Sequence, residues 1–239
     1  IDIDIQKIAE DALAQRMKEI TDPNINTAKG DHEGLDAQGA AVIVMKVKTG
    51  EILACASYPT FNLSTMKEDW ETINNDDLKP LFNRAFGATY APGSTYKMCT
   101  LVAAMENVYQ KGEKAGQPIY SPGETIYDTG YFNHDDFADF HPTCLFYSSS
   151  RASHGDLTAQ DALKVSCNLF FYELGYRMTI EMMDDTAKGF GLGEPTGIEL
   201  TEKVGWRANK ESKKASYTGV DQAWNGGDRI LCAIGQSEN

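Results

Sequence analysis

"APGSTYKMCTLVAAMENV", residues 91–108, is the stretch whose reading decides the fold. The breaker Ala91-Pro92-Gly93 sets a start, and the small and apolar residues beyond it predict a helix from Ser94 to about Val108. Ser94 and Lys97 then stand three residues apart on one face at the helix mouth. A lysine desolvated beside a serine hydroxyl has its pKa lowered until it can accept the serine proton, and backbone N–H groups at a helix start can hold an oxyanion. A Ser-x-x-Lys by itself is common, because a serine before a helix ordinarily serves only as an N-cap.

A second element explains the first. "TAQDALKVSCNLFFYELGYRM", residues 158–178, is a helical pattern broken near Ser166-Cys167-Asn168. At such a break Ser166 can relay a proton between Lys97 and a leaving group, while the Asn168 amide can hold Lys97 and a substrate amide. Cys167 reads as a small core residue.

The rest of the chain supplies a scaffold. Ile5, Ile8, Ala9, Ala12 and Leu13 recur at helical spacing, "AAVIVMKV" and "EILACASYP" form a β-hairpin, and "TIEMMDDTAKGFG" is a third helix ending at glycine. The polar stretch from Thr21 to Gly39 reads as loop, and Gly112 to Gly155 is polar and aromatic with short strand candidates. With 35 acidic against 22 basic residues the net charge is -13, which argues against nucleic acid and anionic membrane surfaces as partners. The 5 cysteines are odd in number and scattered, so they read as buried free thiols rather than a disulfide framework. The longest apolar run, Ala40 to Met45, is strand-sized, far short of the ~18 residues that span a bilayer.

Ser94-x-x-Lys97 followed by Ser166-x-Asn168 resembles the transpeptidase domain of class B, high-molecular-weight penicillin-binding proteins, whose Ser-x-x-Lys, Ser-x-Asn and Lys-Thr-Gly set is shared with serine β-lactamases. "AAVIVMKVKTGEILACASYPTFN" is similar to that family's first hairpin, "NRAFGATYAPGSTYKM" to its nucleophile segment and "ALKVSCNLFFYELG" to its second motif. "GFGLGEPTGIELTEKVG" and "WNGGDRILCAIGQ" are similar to the stretch beyond. The resemblance implies a mixed α/β (α+β) fold with helices packed on an antiparallel sheet, residues 1–239 being the N-terminal and central part of one incomplete transpeptidase domain. It implies a peptidoglycan D,D-transpeptidase in which Ser94 attacks a stem-peptide D-Ala-D-Ala amide, Lys97 is the base, Ser166 relays the proton and Asn168 contacts Lys97 and substrate. β-Lactams would acylate the same serine. A serine β-lactamase or β-lactam sensor, and a non-catalytic wall-synthesis scaffold, are the alternative readings.

The resemblance further implies no cofactor for the chemistry. It implies stem peptides, β-lactams and a glycosyltransferase of the wall-synthesis machinery as partners, and an extracytoplasmic location held by an anchor outside these residues. His154 falls where the family has a His-Gly and is read as structural. Lys48-Thr49-Gly50 precedes both other motifs, whereas the family's third motif follows them. It is read as a turn, with Gly50 supplying positive φ. Residues 169–239 hold no other Lys-Thr-Gly or Lys-Ser-Gly, so a further segment or chain carrying that motif is expected.

"DTGYFNHDDFADFHPTCLF", residues 128–146, raises a separate possibility. His141 and Cys144, three apart, with Asp135 from the preceding turn, offer the imidazole, thiolate and carboxylate that zinc prefers. A structural zinc ion on Asp135, His141 and Cys144 is the expectation.

Overall fold

A computed structural model describes residues 1–22 and 37–236, so most of the loop expected over Thr21 to Gly39 lies outside the described residues. The chain divides into two compact units, one of residues 1–89 with 197–203, the other of residues 90–196 with the C-terminal stretch from Val204.

In the first unit, helix α1 (Ile3–Thr21) starts where the Asp2 carboxylate accepts the N–H groups of Asp4 and Ile5. Strands β1 (Ala40–Met45) and β2 (Ile52–Tyr58) pair antiparallel, Val42 opposite Ala56 and Val44 opposite Ala54. Ala54 and Ala56 are small enough for α1 to lie close on the hairpin, where Ala9, Ile5 and Leu13 cover them. The outer edge of β2 does not stay open: the Gln6 amide donates to Cys55 O at 2.9 Å and accepts from Cys55 N–H at 2.7 Å. Lys48-Thr49-Gly50 forms the exposed tip, as the turn reading requires, with Gly50 at φ 75°. Short helices α2 (Trp70–Asn75) and α3 (Arg84–Gly87) complete this unit, the Arg84 guanidinium collecting the carbonyls of Leu78, Lys79 and Phe82.

The second unit is mainly helical. A 3-10 turn, Gly93–Tyr96, leads into α4 (Lys97–Glu106), slightly shorter than expected. Strand β3 (Ile126–Asp128), α5 (Leu145–Ser150), strand β4 (Gly155–Leu157), α6 (Ala159–Lys164) and α7 (Asn168–Arg177) follow. Then come α8 (Ile180–Gly189), α9 (Lys210–Ser216) and α10 (Gly226–Cys232). β3 and β4 pair antiparallel, Asp128 opposite Gly155. The core gathers Tyr120, Phe132, Phe170, Phe171, Leu174, Met183 and Ile230 around α7. Each such fully buried side chain contributes about 1.5–3 kcal/mol. Gly175 lets α7 meet α10, since a Cβ there would stand 2.7 Å from that of Ala233. Among the described residues no helix is long and apolar enough to cross a membrane.

Candidate active site

The Ser94 turn is laid backbone to backbone on the chain just beyond α10. Gly93 N–H donates to Gly235 O at 2.9 Å, and a Cβ on Gly235 would come within 2.1 Å of Gly93 O. One turn along α4, the buried Thr100 hydroxyl donates to Ala233 O at 2.7 Å. These contacts fix the helix mouth and leave Ser94 exposed, its hydroxyl without a hydrogen bond among the described residues.

Lys97, by contrast, is buried, 1% exposed. Its Nζ donates to Ser166 O at 2.8 Å, Ser166 Oγ at 3.0 Å and Asn168 Oδ1 at 2.6 Å, which uses every donor an ammonium has. The Phe171 ring lies 5.4 Å from the same nitrogen. Burial lowers the Lys97 pKa to about 8, against the opposing pull of Cys167 and Cys144. At neutral pH about a tenth of the molecules then carry a free amine there.

The local fold of Ser166-Cys167-Asn168 makes this cradle. α6 ends at Lys164, Ser166 takes a left-handed φ of 52°, and Cys167 caps α7. A non-glycine residue in that region costs on the order of 1–3 kcal/mol and is held by its surroundings. Here it lets the Ser166 carbonyl and hydroxyl meet Lys97 together. Thus the structure brings Lys97, Ser166 and Asn168 into one hydrogen-bonded group, with Ser94 a turn away at the surface.

The expected metal trio is not assembled. Asp135 sits in a 3-10 turn, Asp135–Phe137, and the His141 ring nitrogens face Phe132 O at 3.2 Å and Ala138 O at 2.8 Å. Cys144 instead joins Asp128, His154 and Cys167, whose ligand atoms all lie within 4.8 Å of one another. Asp128 Oδ2 is 2.6 Å from His154 Nδ1 and accepts from Cys167 Sγ at 3.4 Å, while its Oδ1 accepts from Gly130 N–H at 2.7 Å. The two sulfurs stand 3.8 Å apart, and the pairing of the two thiols pulls the Cys144 thiol down to about 5. The same pairing, and then burial, push the Cys167 thiol up.

Cys167 lies in the core and His154 is bonded to Asp128, as their structural readings expect, and both also belong to this cluster. The signal that connects them lies in the strand register, which sets Asp128 beside the residue after His154.

The chain matches the family described as penicillin binding protein transpeptidase domain over residues 40–223. It is 31% identical over 209 residues to peptidoglycan D,D-transpeptidase MrdA of Haemophilus influenzae, covering 85% of this chain and 30% of that protein. It is 32% identical over 162 residues to stage V sporulation protein D of Bacillus subtilis, covering 68% and 22%. Among solved structures, penicillin-binding protein PBP2 of Helicobacter pylori superposes with a TM-score of 0.68 at 26% identity, over 94% of this chain and 38% of that one. A chain in a structure titled "Structural coordination of polymerization and crosslinking by a peptidoglycan synthase complex" gives 0.78 at 27%, over 98% and 37%. The fold is that of the penicillin-binding proteins. The chain belongs to the penicillin-binding protein transpeptidase family. It spans 22–30% of the length of these curated relatives.

Proposed function

We propose that this chain carries the nucleophile half of a peptidoglycan D,D-transpeptidase. The observation that carries the reading is the buried Lys97, held by Ser166 and Asn168 with its pKa lowered to about 8. Ser94 attacks the D-Ala-D-Ala amide carbon of a stem peptide. Neutral Lys97 takes the Ser94 proton, and Ser166 passes it to the departing D-Ala nitrogen. Asn168 holds Lys97 and presents its amide to the substrate backbone. An amine of a neighbouring stem then takes the acyl group from Ser94, whereas a β-lactam stays attached. Backbone N–H at Ser94 supplies one oxyanion donor. Relatives named D,D-transpeptidases support this reading. The test is fluorescent penicillin labelling of the full polypeptide: Ser94→Ala should abolish it with the fold intact, and persistent labelling at another serine rejects the assignment.

Both units are read as parts of one transpeptidase domain, since the family match runs through both. A further segment bearing Lys-Thr-Gly or Lys-Ser-Gly is read as packing beside α4. An apolar groove of about 400 Å³ there, lined by Met98, Val102, Phe190 and Leu192, supports it. A relative's structure titled as a PBP2 complex with MreC, and the synthase-complex structure, support a place in a wall-synthesis assembly; a glycosyltransferase partner and an extracytoplasmic location are read from the family resemblance alone.

Asp128, Cys144, His154 and Cys167 are read as a structural zinc site. The donor set suits zinc, and two thiolates about 2.3 Å from one tetrahedral ion lie about 3.8 Å apart, the spacing found between Cys144 and Cys167. The ion would supply no step of acyl transfer. It would fix Cys167, and with it the bend that aims Ser166 and Asn168.

A further inference from the structure

The far end of α7 borders a second cavity, of about 530 Å³. Asn168 opens that helix and Arg177 closes it, so about 13 Å of helix separates this cavity from the Lys97 cradle. Lys114, Arg177 and Arg229 line it, together with two carboxylates and three aromatic rings.

The carboxylates are already engaged. Glu173 faces His134 Nε2 at 2.9 and 3.1 Å, and the Tyr176 hydroxyl donates to Asp136 Oδ1 at 3.3 Å. Tyr176 also stacks on the His134 ring with centroids 3.9 Å apart. Arg177 is spent on Glu124 at 2.6 Å and Ile119 O at 3.3 Å.

Two cations have no such partner. Arg229 makes no ion pair or side-chain hydrogen bond among the described residues, and its Nε is buried without an acceptor. Among the described residues Lys114 directs its ammonium only at the Tyr109 ring, 5.5 Å from the centroid. A guanidinium cannot shed its charge, so this half-buried one, its Nε cut off from water with no acceptor, carries an uncompensated desolvation cost. Burial drags the Arg229 pKa down, and Tyr176, Asp136 and Glu181 only partly offset it. The spare capacity of the cavity is therefore donor capacity, and what it lacks is an anion.

We propose that this cavity is a second ligand site that binds a carboxylate, seated on the Arg229 fork and closed by Lys114. The planar guanidinium matches a carboxylate with two parallel hydrogen bonds. A phosphate dianion suits the site less, because Asp136 and Glu173 stand at the same wall and repel a second negative charge. Tyr109 and Tyr176 offer ring faces for the body of the ligand, and the volume is that of a small-molecule site. Both a peptide carboxylate and a sugar acid have this chemistry.

The test titrates the full polypeptide with N-acetyl-L-alanine, N-acetylmuramic acid, N-acetyl-L-alaninamide and inorganic phosphate, followed by calorimetry and by NMR shifts of Tyr109. At least one carboxylate should bind one to one, and the better of the two names the source. The uncharged amide, and the variants Arg229→Gln and Lys114→Gln, should each weaken binding at least ~10-fold, as loss of a charged hydrogen bond does. Penicillin labelling of Ser94 should be unchanged in both variants. Lys114 is exposed, so its variant folds regardless of how Arg229→Gln behaves. Absence of carboxylate binding, phosphate binding as tight as either carboxylate, or full binding by Lys114→Gln would overturn the proposal. None of these results depends on acyl transfer, whose own failure shows as lost labelling of the unaltered protein.

Discussion

The Lys97 cradle and the Asp128–Cys144–His154–Cys167 cluster share the segment Ser166–Asn168, yet they are assembled by opposite means. Each half of the cradle is short-range, two helix mouths with their key residues three and two positions apart, and the halves meet by helix packing across 69 and 71 positions. The cluster comes from a strand ladder that brings together residues 26 positions apart and from a loop that drops Cys144 against α7. On the proposed reading, one positions a base and the other positions the bend that positions the base. Cys167 belongs to the second while its neighbours belong to the first, so damage to either should be read differently in rate and in stability.

The largest effect should come from the cradle itself. Lys97→Arg keeps the charge and removes an amine that can lose its proton, so penicillin acylation should fall at least ~10²-fold with little change in metal content. Unchanged acylation would remove Lys97 from the mechanism. In the unaltered protein the acylation rate should rise as pH climbs toward about 8, where Lys97 loses its proton, and level off above it. The sign for stability is the same. Between about 8 and the ordinary 10.5 the unfolded chain holds the Lys97 proton and the folded one does not, so this group's contribution grows with pH.

The cluster should announce itself first as stability. Zinc should copurify at close to one ion per chain, and chelation or Cys144→Ser should lower the melting temperature by several degrees before it slows acylation. Asp135→Asn and His141→Asn should do neither. Equal losses from Cys144→Ser, Asp135→Asn and His141→Asn would restore the Asp135/His141/Cys144 trio, and a metal-free, chelator-indifferent protein would reject the site.

A smaller effect is expected where the Ser94 turn rests on its support. Gly235 has φ 72° and faces Gly93 O too closely for a side chain. Gly235→Ala should therefore cost on the order of 1–3 kcal/mol and slow acylation less than Lys97→Arg does. Wild-type melting and labelling would show that the helix mouth does not need this contact.

What could be read in advance follows the same division. Ser94 and Lys97 on one helical face, the break at Ser166-Cys167-Asn168 and the hairpin of β1 and β2 were all legible, because local periodicity and breakers encode them. Cys144 was legible as a candidate ligand, but its partners were not. Short spacing favoured His141, whose ring is taken by the Phe132 and Ala138 carbonyls, while Asp128 and His154 meet only once β3 pairs with β4. The support of Gly93 by Gly235 is a backbone contact, and no side-chain pattern announces it.

The smallest effect belongs to the tripeptide that looks most like chemistry. Lys48-Thr49-Gly50 caps the hairpin through Thr49 Oγ1 donating to Glu51 Oε2 at 2.8 Å and Gly50 N–H donating to Lys46 O at 2.8 Å. Lys48 itself is exposed and forms no side-chain hydrogen bond among the described residues. Its ammonium therefore has nothing to lose on truncation, and Lys48→Ala should leave stability within about 0.5 kcal/mol and acylation within about twofold. Gly50→Ala is the contrasting variant, because a φ of 75° suits glycine and resists a Cβ. It should cost about 1 kcal/mol in melting experiments and still leave labelling intact. A Lys48→Ala protein that folds normally but labels tenfold more slowly would give this tripeptide a part in the acyl-transfer site, and with it a role that its place at the hairpin tip does not require.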